Sequence, residues 1–302
     1  MAIPLSADSA FAALQKEGVL LRIGSADWRT HTRTTDRRLW GPVHGVMIHH
    51  TVTEGTTTSR SILYNGYSGL PGPLCHGMID KDGSTTMIGW GRTNHAGLGD
   101  ATVLRRVTAE TPPYEPRFAS VDGNARFYGF ECVNLGNGKD PWPKAQIEGI
   151  VKAAAALCRA HGWSANSVIG HKEWQPGKPD PYGPGMPSMD DLRVLIAKRL
   201  ASKPTPPKLV VKLSLLVEAA KTNPRRTDQK ITYTGVKTVE DALVAEGLLA
   251  KGLADGHYGT ATLDAYKAWQ RKLGYAGTDA DGIPGWVSLS TLAKKRGFTA
   301  ER

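Results

Sequence analysis

Residues 45–51 read GVMIHHT: three aliphatic side chains in a row, then two histidines and a threonine. A short apolar run that ends in polar residues is the pattern of a buried strand. Its polar end falls at the rim of a sheet, where sites are commonly built. Neighbouring residues on a strand face opposite sides, so only one of His49 and His50 can enter a given site. Outward from this stretch, residues 74–90 (LCHGMIDKDGSTTMIGW) read as two strands around an Asp82-Gly83 turn. Residues 127–136 (FYGFECVNLG) read as a further strand. Ile147, Ile150, Val151, Ala154, Leu157 and Cys158 follow helical spacing, as do Leu192, Leu195, Ile196 and Leu200 after an N-capping Ser188. Strands interleaved with helices predict an α/β domain with a mixed central β-sheet flanked by helices. Residues 94–124 are expected to form a long surface loop.

The chain has 302 residues, enough for about two domains. The boundary falls at residues 201–208, ASKPTPPK, whose three prolines predict an extended, semi-rigid linker. A first domain then spans 1–200, with its core at about 30–200, and a second spans 209–302. The second contains an internal repeat: DGHYGTATL from Asp255 and DGIPGWVSL from Asp281 share D-G-x-x-G-x-x-[TS]-L. Asp-Gly predicts a turn in each copy, with Thr262 or Ser288 at a helix start. Leu263, Tyr266, Trp269 and Leu273 fit one helical stripe between them. A small all-α, three-helix module is the expectation, its first helix at residues 240–252.

The formal net charge of +10 favours an anionic partner: nucleic acid, anionic lipid or an acidic polymer. No Lys/Arg-clustered helix and no zinc-finger spacing occurs, so nucleic acid is not expected. No run approaches the ~18 apolar residues of a membrane span, so no membrane insertion is expected. The N-terminal residues lack a basic start and an unbroken apolar run, which predicts synthesis in the cytoplasm without a signal peptide. Cys75, Cys132 and Cys158 are odd in number and without CxxC spacing, which predicts free buried thiols. Oligomeric state is left open.

Residues 170–181, GHKEWQPGKPDP, hold His171, Lys178 and Asp180 on a segment whose prolines forbid a regular helix. Alone, the segment fits an exposed turn as well as half of a metal site. Grouped with His49, however, His171 and Asp180 would supply two imidazoles and a carboxylate. That set leaves a fourth position open, the composition of a catalytic rather than a structural zinc. Glu131 is a carboxylate inside an apolar strand, where it needs a partner or a raised pKa, and either suits a general base. A solvent-facing strand-end acid is the alternative. His31, His44, His161 and His257 carry no such pattern.

Taken in order, VMIHHT, LCHGMIDKDG, NHAG, FECVNLG and GHKEWQPGKPDP resemble the zinc-dependent N-acetylmuramoyl-L-alanine amidases of type 2. That family shares its fold with peptidoglycan recognition proteins and includes many phage endolysins. The resemblance implies a hydrolase that cuts the amide between the lactyl group of N-acetylmuramic acid and L-alanine of the peptidoglycan stem peptide. It implies one zinc ion on His49, His171 and Asp180, with Glu131 activating water and Lys178 stabilising the oxyanion. His76, His95 and Thr51 are its substrate-side candidates. Many members carry a tyrosine before the middle histidine; Cys75 stands there instead, which puts a tyrosine role in doubt. A non-catalytic peptidoglycan receptor on the same fold is the alternative. The repeat of residues 255–292 is similar to a three-helix peptidoglycan-binding module, which implies a wall anchor. The combination resembles an endolysin made in a host cytoplasm and released to the wall, as by a holin.

Overall fold

The computed structural model describes residues 1–34, 39–204, 209–222 and 233–302. The chain forms two units, Met1–Pro207 and Lys208–Arg302, each with its own apolar core. The first unit runs α1 (Ala7–Glu17), β1 (Leu21–Ile23), β2 (Val46–His50), α2 (Thr56–Asn65), β3 (Gly66–Tyr67), β4 (Leu70–Pro71), β5 (Gly77–Ile79), β6 (Thr85–Met87), β7 (Leu98–Gly99), α3 (Ala101–Thr108), β8 (Val121–Asp122), β9 (Tyr128–Cys132), α4 (Lys144–His161), β10 (Val168–Gly170) and α5 (Met189–Ala201). Six strands make one mixed sheet in the order β1-β6-β5-β9-β2-β10. Only the β5–β6 pair is antiparallel, turning at Gly83, where φ is +80°. Strands β3–β4 and β7–β8 are separate two-residue ladders.

Strand alternation assigns the two faces of this sheet. Val46, Ile48, Tyr128, Phe130 and Val168 pack under Leu14 of α1, Ile150 and Leu157 of α4, and Leu192 and Ile196 of α5. Met47 and Ile169 face the other way, onto Phe127, Trp174 and the α3 residues Val103 and Val107. Met78 shares that second face with Leu63 of α2, Cys75 and Ile88. Helix α5 starts at Ser188, whose hydroxyl accepts from the Asp191 N–H at 3.0 Å, as expected of its cap. Leu195, expected on the buried stripe, is exposed, because α5 covers the sheet edge with only part of its circumference.

The segment 94–124 is not a surface loop. It contains α3, started by Asp100, whose side chain accepts from Thr102 N–H and also from the N–H groups of Arg117 and Phe118. One buried carboxylate thus closes both ends of the excursion, and Val103 and Val107 bury one face of the eight-residue helix.

The second unit runs β11 (Val210–Lys212), α6 (Leu213–Thr222), α7 (Gly235–Ala245), α8 (Thr260–Lys272), α9 (Trp286–Arg296) and β12 (Thr299–Glu301), with β11 parallel to β12. Helices α7, α8 and α9 are the three expected from the repeat; α6 and the strand pair are additional. The first of the three ends at Ala245, not 252, because Gly247 takes φ +73° and Leu248 N–H returns to Leu243 C=O. Of the proline-rich segment, Ala201 closes α5 and residues 205–208 lie outside the described residues.

Each repeat turn is fastened by the helix before it. Glu240 of α7 accepts from Gly256 N–H and from the Thr262 hydroxyl of α8, at 2.7 and 2.6 Å. Gln270 of α8 accepts from Gly282 N–H at 2.7 Å, and Tyr266 of α8 meets the Ser288 hydroxyl of α9 at 3.1 Å. Among the described residues no helix is long and apolar enough to cross a membrane.

In the first unit the buried Glu17 at the end of α1 receives Arg159 of α4 at 2.9 Å and Arg199 of α5 at 2.7 Å. This carboxylate ties three helices together, and its removal leaves two partly buried guanidinium groups without their counter-charge. Glu17→Ala is expected to destabilise this unit by roughly 3 kcal/mol, read from the urea midpoint; a loss below about 0.5 kcal/mol would show that the cluster is a solvated surface pair.

Candidate metal centre and active site

The site sits on the second face of the sheet, at the carboxyl ends of its parallel strands. Strand register builds it. His49 on β2 lies directly opposite Glu131 on β9, and Gly170 on β10 lies opposite Ile48. One residue past Gly170, His171 therefore comes level with His49. Their rings meet edge to face, with centroids 4.6 Å apart.

Asp180 is returned to the same point by a clasped loop. Lys172 N–H donates to the Asp180 carbonyl at 2.8 Å, and the Lys172 ammonium donates to Pro181 C=O at 2.9 Å. Within the loop, Gln175 N–H returns to His171 C=O, and Gly177 takes φ +81°. The start of the loop is held from α5, where Arg193 pairs with Glu173 at 2.9 Å and donates to Val168 C=O.

The result is a triangle of three buried atoms. His49 Nδ1 to His171 Nδ1 is 3.1 Å, His49 Nδ1 to Asp180 Oδ2 is 3.3 Å, and His171 Nδ1 to Asp180 Oδ2 is 3.2 Å. A tetrahedral ion with ligand bonds of about 2.0–2.1 Å needs ligand atoms about 3.3–3.4 Å apart, so the triangle has the right edge length. Two ring nitrogens and a carboxylate oxygen crowded this closely, away from water, also call for a positive centre between them. These three residues could hold a metal ion.

The electrostatics agree with that use. Burial lowers His49 to about 4, against an upward pull from Asp180, so its ring is neutral at ordinary pH. Burial alone would raise Asp180, but the contacts from His171 and His49 outweigh it and keep the carboxylate ionised, well below its usual range. Glu131 behaves oppositely. Burial, then the charge of Asp180, pushes its carboxyl well above the usual carboxylate range, against a smaller downward pull from Lys178. Its Oε2 is buried with no hydrogen-bond partner in the protein. Lys178 itself is exposed on the loop.

The remaining candidates land elsewhere. His76 is fully buried: its Nδ1 accepts from Gly129 N–H and its Nε2–H donates to Gly91 C=O, both at 2.9 Å. It braces the hairpin from within and does not reach a groove. The Thr51 hydroxyl is taken up by the backbones of Thr53 and Asn134. His95 lies behind His49, with its Nδ1 3.0 Å from His49 Nε2. His50 faces the other side of the strand and packs on Tyr182, centroids 5.3 Å apart. Cys75 is buried against apolar neighbours, and burial pushes its thiol well above the usual range. His44 is used structurally, paired with Glu110 at 2.9 Å. Sequence reasoning missed Gln175, whose Oε1 meets His171 Nε2 at 3.2 Å, and the Glu173–Arg193 pair. The only signal for Gln175 was its place four residues after His171.

Several solved structures are similar at low identity. An endolysin N-acetylmuramoyl-L-alanine amidase, LysCS from Clostridium intestinale, is 16% identical, with 58% of this chain and 93% of that one covered, at a TM-score of 0.39. The amidase AmiD from E. coli, in complex with an anhydro-N-acetylmuramic acid tripeptide, is 16% identical over 88% of this chain and 94% of that one, at 0.38. AmpDH3 from Pseudomonas aeruginosa, in complex with an anhydromuramic pentapeptide, is 17% identical over 90% and 99%, also at 0.38. No curated protein sequence matches the chain. The family model for N-acetylmuramoyl-L-alanine amidase matches residues 39–183, a span that contains His49, Glu131, His171, Lys178 and Asp180. The first unit thus carries a match to the N-acetylmuramoyl-L-alanine amidase family over residues 39–183.

Proposed function

We propose that the protein is a wall-anchored, zinc-dependent peptidoglycan hydrolase of the endolysin type, which cuts the amide between the lactyl group of N-acetylmuramic acid and L-alanine. The observation that carries this reading is the buried triangle of His49 Nδ1, His171 Nδ1 and Asp180 Oδ2, with Glu131 beside it in register. Zinc held by these groups would lower the pKa of a water in the fourth position to about 7 and polarise the scissile carbonyl. The chain's own groups do the rest. The two imidazoles keep the metal charge undiminished, and Asp180 offsets one unit of it. Glu131 takes the proton of the attacking water as its oxygen adds to the lactyl carbonyl carbon. The same carboxyl returns that proton to the alanine nitrogen as the C–N bond breaks. Burial and the Asp180 charge raise the proton affinity of this carboxylate, which favours taking the proton, and a bound cation would pull the other way and favour its release. Lys178, exposed and free to swing, offers its ammonium to the developing oxyanion.

The stem peptide needs room beside this point. A cleft of about 520 Å³ runs along the same carboxyl rim of the sheet, lined by Glu54, Thr56, Asp80, Lys81, Leu135 and Asp140. In the second unit the repeated turns support a role as wall anchor, raising the local concentration of the first unit at its insoluble substrate. An enzyme confined to soluble wall fragments would gain nothing from such an anchor. The chain's net charge of +10 favours association with acidic wall polymers, weakening as salt rises.

Digestion of purified peptidoglycan followed by mass analysis tests the bond cut. Muramic acid with a free lactyl carboxylate and new N-terminal alanine are expected; new reducing sugar ends would mean a glycosidase, and binding without any product would favour the receptor reading. Glu131→Gln should lower kcat by about 10²–10⁴-fold with zinc still bound, whereas His171→Ala should lose zinc and activity together. Full activity in Glu131→Gln would remove that residue from the mechanism. A chain ending at Pro207 should still cleave a soluble muropeptide yet no longer sediment with insoluble peptidoglycan. Equal sedimentation of the two chains would dismiss the anchor.

A further inference from the structure

A second imidazole stands behind His49, at the ring nitrogen that does not face His171 and Asp180. His49 Nε2 lies 3.0 Å from His95 Nδ1, and His95 Nε2 lies 3.2 Å from the Phe127 carbonyl oxygen. Both rings are buried, so water does not compete for these contacts. The proton positions follow from the partners. A carbonyl oxygen only accepts, so His95 carries its proton on Nε2. A neutral His95 then has a bare Nδ1, which also only accepts, so His49 must carry its proton on Nε2. That leaves the His49 Nδ1 lone pair directed at the centre of the triangle.

The surroundings hold His95 in this place. Asn124 Oδ1 accepts the backbone N–H groups of His95 and Ala96 at 2.8 and 2.7 Å. On β9, Gly129 leaves the space the ring occupies: a Cβ there would lie 2.4 Å from His95 Nδ1. The His76 ring packs edge to face on the other side, with centroids 5.8 Å apart.

Building on the metal reading above, we propose that His95 is a positioning residue that fixes the tautomer and orientation of His49 through a Phe127 C=O–His95–His49 relay, and that Gly129 exists to admit its ring. Partners of this kind, placed behind a ligating histidine, raise ligand basicity and hold the ring in one orientation. His171 has the simpler arrangement, with Gln175 Oε1 in the corresponding place. His95 therefore acts on the metal centre from inside the protein, not on the substrate from the groove.

The test measures zinc affinity by competition with a chromophoric chelator. It also measures the imidazole tautomers of the metal-free protein by nitrogen-15 NMR. In the unsubstituted chain His49 is expected as the Nε2–H tautomer. His95→Phe keeps the ring volume and removes the acceptor; zinc affinity should fall about 10–100-fold, and the His49 signals should become a tautomer mixture. His95→Asn places an amide oxygen where Nδ1 was and should recover most of both. Gly129→Ala should reproduce the loss with His95 intact, and it carries the test if His95→Phe fails to fold. Unchanged zinc affinity and an unchanged His49 tautomer in folded His95→Phe would overturn the relay while leaving the metal reading standing. So would a His95→Asn protein no better than His95→Phe. Failure of the unsubstituted chain to bind zinc would overturn the metal reading instead, and the His49 tautomer would then decide the relay on its own.

Discussion

In-register parallel pairing of β9, β2 and β10 puts His49 beside Glu131 and carries the chain to His171 at the same level. Side chains alternate with a period of two, so a slip of one residue between β2 and β9 would send His49 to the helix-covered face and leave His50 opposite Glu131. The helices prevent that slip. Val46 and Ile48 are committed to the core under α1, α4 and α5, and Met47 to the core around Trp174. Apolar packing on two faces therefore decides which histidine can become a ligand, before any polar contact is made.

The loop from His171 to Asp180 solves a separate problem: two candidate ligands nine residues apart are brought to within 3.2 Å of each other. A helix would space them too far along its axis. Here a backbone bond from Lys172 to the Asp180 carbonyl closes the loop, and Arg193 anchors its first turn through Glu173. Much of the ordering entropy of Asp180 is thus met when the domain folds, so a cation bound there would meet atoms already in place.

The sheet was legible in the sequence because its strands carry long-range signals in short stretches: the apolar run before His49, the Asp-Gly turn at residues 82–83, and the lone carboxylate in FYGFECVNLG. Glu131 stood out as a carboxylate in an apolar strand, whereas His171 and Asp180 gained meaning only when grouped with His49, and Lys178 took its role from the family resemblance. Helix α3 did not stand out, since it is only eight residues long and its cap, Asp100, resembles any loop aspartate. Nor did the positions of His76, His95 and Thr51. Whether a histidine lines a groove or lies beneath a strand depends on which backbone groups reach its nitrogens, and those groups come from Gly91, Phe127 and Gly129, far apart in the chain. The extra helix and strand pair of the second unit lay outside the repeat, which was the only signal available there.

The fastening of the repeat turns has a direction. Helix α7 holds the turn that launches α8, through Glu240; α8 holds the turn that launches α9, through Gln270 and Tyr266. Each turn is thus matched to the helix before it, so a residue inserted ahead of either turn would carry its N–H group off the Glu240 or Gln270 acceptor. The return contacts close the set: Lys295 and Arg296 of α9 pair with Glu246 at the end of α7, and Tyr258 of the first turn donates to Gly282 C=O of the second, so the three helices brace one another as a ring of contacts.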